Sequence, residues 1–150
     1  MYNGLIFNNK ILDTVLIALI IAQTLKVVIG FFEEKRLNFR RFLDTGNMPS
    51  SHTASVTALA TAVGIQEGLH STVFAISLVF AVVVMYDATG VRRAAGKQAE
   101  VLNKIVENIR KKEGHSIIEE NLKELIGHTP MEVFWGAILG IVIALIIMLI

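Results

Sequence analysis

Long apolar stretches alternate with polar, charged connections along this chain, and the breaks between them divide it. Ile11 to Phe32 is apolar over the length that crosses a bilayer as a helix, roughly 20 residues, interrupted by Gln23 and Lys26, three apart and so close to one face. A charged connection, Glu33 to Asp44, leads into the polar turn Thr45-Gly46-Asn47-Met48-Pro49-Ser50-Ser51-His52. From Thr53 to about Gly68 small apolar residues mix with hydroxyls, the composition of a helix packed closely among other helices in a membrane. Gly68-Leu69-His70-Ser71 makes a tight turn into a second long apolar run ending at Tyr86-Asp87-Ala88-Thr89-Gly90-Val91-Arg92-Arg93, so the two segments read as a helical hairpin. Between Lys97 and Lys112 apolar residues recur at Val101, Leu102, Ile105, Val106 and Ile109, an amphipathic helical period. A charged loop holding Gly114 follows, then a shorter amphipathic stretch, Ile117 to Ile126, closed by Gly127. Thr129 and Pro130 are a cap and a first-turn proline for a last apolar helix running to Ile150, in which Gly136 and Gly140 lie four apart.

The pattern predicts an all-α fold: one membrane-embedded domain, residues 1–150, with spans at about 11–32, 53–69, 71–90 and 131–150. A helical connection, 91–130, lies outside the bilayer. Composition agrees, since 53% of the residues are hydrophobic and the mean hydropathy is +0.59, far above a soluble domain. The first run is long enough to span and lacks a small-residue cleavage pattern, so it reads as a helix that stays. Without cysteine, disulfides, thiolate ligands and a thiol nucleophile are excluded together. The net charge is only +1, yet twelve of the fourteen lysines and arginines sit in the two connections after the first and third spans. The positive-inside rule then puts both connections in the cytoplasm, and both termini and the Gly68–Ser71 turn outside. A nucleic-acid partner is not expected; a membrane lipid is.

With that topology the unusual polar residues meet at one cytoplasmic mouth. Ser50, Ser51 and His52 enter the second span there, Asp87, Arg92 and Arg93 leave the third, and His128 begins the fourth, with Lys26, Arg40 and Arg41 near the same level. A helix N-terminus offers unpaired amides and the positive end of its dipole to an anion. Serine hydroxyls and arginine forks add phosphate ligands, and an imidazole can move a proton. Each residue also has a plainer role: Ser50 or Ser51 as an N-cap, Arg92 and Arg93 as a headgroup-binding topogenic pair, Asp87 as a cap or an arginine partner. Lys26 could snorkel to the interface or face the bundle interior.

GNMPSSHTA resembles the Pro-Ser-Gly-His motif of the type 2 phosphatidic acid phosphatase and vanadium haloperoxidase superfamily. With YDATGVRRAAGKQAEVLN and LKELIGHTPMEV, the chain looks like its divergent bacterial and plant branch. The resemblance implies a metal- and cofactor-independent site in which His52 is the general acid and Ser50 contacts phosphate, with Ser51 where the superfamily has Gly. The superfamily's Lys-x6-Arg-Pro motif is absent, leaving Lys26, Lys35, Arg40 or Arg41 as stand-ins. In the Ser-Arg-x5-His-x3-Asp motif the His is the nucleophile and the Asp orients it. Here Arg92 or Arg93 carries over as a phosphate ligand, but Lys97, Gln98 and Ala99 occupy the place of the nucleophile. His128, from another helix, is the candidate substitute, and Asp87 the candidate to orient a histidine.

The resulting expectation is a membrane phosphatase-like protein that binds a phosphorylated lipid such as an isoprenoid phosphate or diphosphate or phosphatidate, with its hydrolysis left open. His52, His128 and Asp87 would do the chemistry, and Ser50, Ser51, Arg92, Arg93, Lys26 and Arg41 would hold the phosphate. The alternative from another class is a non-catalytic phospholipid- or anion-binding protein, a transporter or scaffold, that keeps the cradle without the nucleophile. A third is a structural homo-oligomer whose amphipathic segments, 97–112 and 116–127, dock a partner or lie on the membrane surface.

Overall fold

The computed structural model describes residues 6–35, 48–113, 122 and 127–150. Arg40, Arg41, His115 and nearly all of the stretch 116–126 lie outside them. Five helices run in order: α1 Lys10–Glu34, α2 Ser51–Glu67, α3 Thr72–Thr89, α4 Val91–Glu113 and α5 Pro130–Leu149. Among the described residues three stretches are long and apolar enough to cross a membrane: Lys10–Phe32, Thr72–Ile109, which contains α3, and Pro130–Leu149.

The expected second span is absent from that set. Its 17 residues cover about 25 Å against roughly 30 Å of hydrocarbon. What distinguishes α2 is burial: ten of its residues, Ser51 to Gly64, are inaccessible, because α1, α3 and α5 all pack on it. The least apolar of the four helices α1, α2, α3 and α5 therefore occupies the centre of the bundle, enclosed by the other three. Its hydroxyls close on backbone oxygens, as they must away from water: Ser55 Oγ donates to Ser51 O at 2.9 Å and Thr57 Oγ1 to Thr53 O at 2.8 Å. Thr57 Oγ1 also reaches Ala137 O at 3.3 Å, linking α2 to α5.

Gly136 and Gly140 make that link close. A β-carbon on Gly136 would run into Ser50 O and Thr53 Cβ, and one on Gly140 into Ala54 O and Thr57 Oγ1. The glycine spacing in the last span therefore marks the seam along which α5 lies on the first two turns of α2. Replacing Gly140 with alanine should separate the helices and lower stability by about 1–3 kcal/mol. A drop in melting temperature of the detergent-solubilised protein is the expected result; an unchanged melt would mean that the seam opens without cost.

At the far end from the His52 turn, Asn9 caps α1 by accepting from Ile11 N and Leu12 N. Asp13 takes the amides of Ile6 and Phe7 at 3.1 Å each, and Lys10 Nζ reaches Met148 O at 3.4 Å. Part of the stretch ahead of α1 is thus tied onto the bundle.

α4 begins earlier than its apolar period indicates. Arg92, Arg93, Ala94 and Ala95 are good helix formers, and only Gly90 separates α4 from α3: its N–H donates to Tyr86 O at 2.8 Å while its carbonyl accepts from Ala94 N at 2.9 Å. The polar stretch after the third span is thus helix, a one-residue break, then helix. Asn103 on α4 holds the backbone of Leu122 with two bonds, Nδ2 to O at 2.8 Å and N to Oδ1 at 2.9 Å.

Candidate active site

Two backbone hydrogen bonds assemble one end of the bundle from three elements distant in sequence. Ser50 N donates to Glu132 O at 3.0 Å, pinning the start of α2 to the first turn of α5. His128 N donates to Ala88 O at 3.0 Å, pinning the segment before α5 to the last turn of α3. Local capping fixes each entry. Ser50 Oγ accepts from Thr53 N at 3.3 Å and from Thr53 Oγ1 at 3.0 Å. Thr129 and Glu132 form a reciprocal capping box at α5, with Pro130 at its first position.

The two imidazoles meet as a result. His52 and His128 stand edge to face, ring centroids 6.3 Å apart and planes at 73°. They open on one cavity of about 170 Å³, lined also by Val83, Val84, Asp87, Ala88 and Arg92. Arg92 Nε donates to Asp87 Oδ2 at 2.6 Å, one α-helical end bracing the next across the Gly90 break. Both side chains are about half exposed, so the pair adds little stability; its effect is to hold the guanidinium at the cavity rim.

The charged form of His128 is disfavoured, chiefly by burial and then by the positive charge of Lys26, with His52 and Arg92 adding to it; a hydrogen bond to the Gly127 backbone pulls the other way. The net result is a ring pushed down to about 4 from the usual 6.5, hence neutral at pH 7. A backbone bond that favours the protonated ring is one the ring donates. His128 Nε2 is buried and has no hydrogen-bond partner among the described residues; in the neutral ring with its proton on Nδ1, Nε2 carries the lone pair.

Most of the residues picked out from the sequence converge here, though not in the roles first given to them. Asp87 lies at the cavity, but its carboxylate accepts from Arg92, so the arginine-partner alternative describes its contact. Ser50 and Ser51 are fully buried and do not line the cavity: Ser50 is the cap of α2, and Ser51 Oγ accepts from Lys26 Nζ at 3.3 Å. Lys26 itself is only 1% exposed, so it faces the bundle interior rather than snorkelling. Arg93 is exposed and is not among the residues lining the cavity; its backbone packs against Gly127. His70 sits in the turn at the opposite end.

Gly127 is the residue that sequence reasoning treated only as the end of a helix. Its φ is +104°, and a β-carbon there would meet Arg93 N at 2.5 Å, Arg93 Cα at 2.7 Å and Arg92 C at 2.8 Å. The chain must therefore pass flush against the start of α4 to deliver His128, and only glycine permits both the turn and the approach. Gly127→Ala should cost about 2–4 kcal/mol from the backbone conformation and the clash together. A melting temperature within error of the unmodified protein would show that this segment relocates freely. The sequence signal available was the glycine immediately before a histidine at a helix entry.

A family model described as "Divergent PAP2 family" matches residues 7–143. The chain is also similar to the "Uncharacterized membrane protein YuiD" of Bacillus subtilis (strain 168), 45% identical over 141 residues that cover 88% of this chain and 89% of that one. No solved structure matches. The family match extends from ahead of α1 into α5 and takes in His52, Asp87, Arg92 and His128, so this chain, an all-α membrane protein, belongs to the divergent PAP2 family.

Proposed function

We propose that the protein hydrolyses a phosphorylated lipid by transferring the phosphoryl group to His128 and then to water. The observation that carries this reading is the pair of imidazoles facing one small cavity with Arg92 on its rim. A volume of about 170 Å³ suits a phosphoryl group and is well below the roughly 300 Å³ at which pockets take whole drug-sized ligands. With ring centroids 6.3 Å apart and both rings lining the cavity, the two imidazoles stand side by side within reach of one phosphate held there, one to attack and the other to protonate the leaving oxygen.

His128 suits the nucleophile's part. It is neutral at pH 7, and its Nε2 has no hydrogen-bond partner among the described residues. Attack by Nε2 forms an N–P bond while the P–O bond to the lipid breaks, its electron pair going to the lipid oxygen. That oxygen takes a proton from His52, and the lipid alcohol leaves. Water then attacks the phosphohistidine and gives a proton back to His52; the N–P bond breaks and orthophosphate departs. Gly127 supports the charge that Nδ1–H acquires in the adduct, the part a carboxylate plays in the superfamily's motif. Arg92 neutralises the phosphoryl oxygens, and a bound phosphate dianion in turn favours the protonated His52 that the first step needs. Lys26 contributes its charge from behind Ser51. The serines support the turn.

The same reading puts α2 through the membrane as a fourth crossing and the cavity on the cytoplasmic side, following the lysine and arginine distribution. A phosphate-release assay on the detergent-purified protein, with phosphatidate and isoprenoid mono- and diphosphates, tests the proposal. Release from at least one substrate is expected. If every substrate stays intact while a phosphorylated lipid raises the melting temperature, the cavity belongs to a binding protein, transporter or scaffold.

A further inference from the structure

The cavity beside His52 and His128 has room for the phosphate but not for the lipid chain attached to it, so the chain must leave the cavity along some surface. One wall supplies that surface. Val83 lines the cavity and also ends a second, open groove of about 500 Å³ made by Thr72, Ala75, Ile76, Val79, Phe80 and Val83. All six belong to α3 and fall on one stripe of it, at helical spacing. Ala75 supplies the dent, and the larger side chains its banks. Ile76 is 65% exposed, Val79 62% and Val83 58%, so the stripe faces away from the bundle's other helices.

Resting on the phosphatase reading above, we propose that this α3 groove seats the hydrocarbon tail of the substrate, and that the substrate is a phosphorylated lipid with a single long chain. Three features support that occupant. The groove joins the cavity at Val83, so one molecule can fill both. It is one helix stripe wide, which accommodates one chain and leaves the second chain of a two-chain lipid without a seat. Cavity and groove together are also long: from the level of Asp87 to Thr72 is about 22 Å at 1.5 Å per residue, beyond the roughly 15 Å depth of one leaflet. A chain that fills it reaches past the bilayer midplane while its phosphate stays at the mouth.

The test uses the full-length protein and variants that fill the groove from its exposed side, Val79→Trp and Ala75→Trp, with the melting temperature in detergent as a check on folding. The probes are geranylgeranyl monophosphate, isopentenyl monophosphate and dioleoyl phosphatidate. Affinity is read from ligand-induced thermal stabilisation, which needs no turnover, and phosphate release is followed beside it. The wild type should bind the geranylgeranyl compound in preference to both others. Each variant should lose about tenfold of that affinity through displaced apolar contact and keep its response to isopentenyl monophosphate. Equal loss for long and short probes, a preference for phosphatidate that the variants leave intact, or no stabilisation by any probe would overturn the tail site. Groove-dependent binding without release would retain the tail site and sink the hydrolase reading. Release indifferent to chain length and to both variants would do the reverse.

Discussion

His128→Asn is expected to reduce phosphate release by at least about 10³-fold, because loss of a covalent nucleophile leaves only what binding and electrostatics contribute. Asparagine is close in size, so the backbone bond from residue 128 to Ala88 O and the cavity walls should persist. Two further observations separate a nucleophile from a structural ring. The wild type, quenched in alkali during turnover, should carry an acid-labile phosphoryl adduct that the variant lacks. The acid limb of the rate should also lie low. A ring pushed down to about 4 keeps its Nε2 lone pair through pH 6 and loses it, tenfold per unit, below its own pKa. A limb near the ordinary 6.5 with no trapped adduct would remove His128 from this role. Stability follows the same sign: the folded ring stays neutral while the unfolded one protonates below about 6.5. The His128 contribution is therefore lost progressively as pH falls from about 6.5 to about 4, and is level above that range.

How much of this was legible in the chain depended on the range of the interaction involved. Apolar run length sets where a helix can be buried, so α1, α3 and α5 fall within a residue or two of their expected bounds. Thr129 and Pro130 announced the start of α5 because capping is a local event. The convergence of His52, Arg92 and His128 followed from topology, since an even alternation of helices returns those three helix ends to one side. Side-chain pairings were not available in the same way. Ser51 and Lys26 are 25 residues apart, and nothing local indicates that the lysine ends on that hydroxyl rather than on a phosphate. Asp87 offered two partners, and only the Gly90 break, which sets the angle between α3 and α4, brings Arg92 onto it. The central position of α2 was the least visible feature. Hydropathy ranks it below α1, α3 and α5, yet enclosure by those three neighbours buries it most completely.

His52→Ala is expected to slow release from a lipid monophosphate by about 10²–10⁴-fold, the usual contribution of a positioned general acid. The cause can be isolated because an acid is needed only when the leaving oxygen is strongly basic. An alkoxide leaving from a lipid phosphate must be protonated as the P–O bond breaks; p-nitrophenolate leaves without it. With p-nitrophenyl phosphate the variant should therefore come within about tenfold of the wild type, and the gap between the two substrates measures the proton transfer itself. The turn that carries His52 should survive the change, because the start of α2 is held by Ser50 through Thr53 and Glu132, and not by the imidazole. An equal loss on both substrates with an unaltered melt would make His52 a phosphate contact rather than an acid. His128 would then have to supply both the nucleophile and the proton, a combination that a ring neutral at pH 7 cannot provide, and the division of the transfer between the two imidazoles would have to be abandoned.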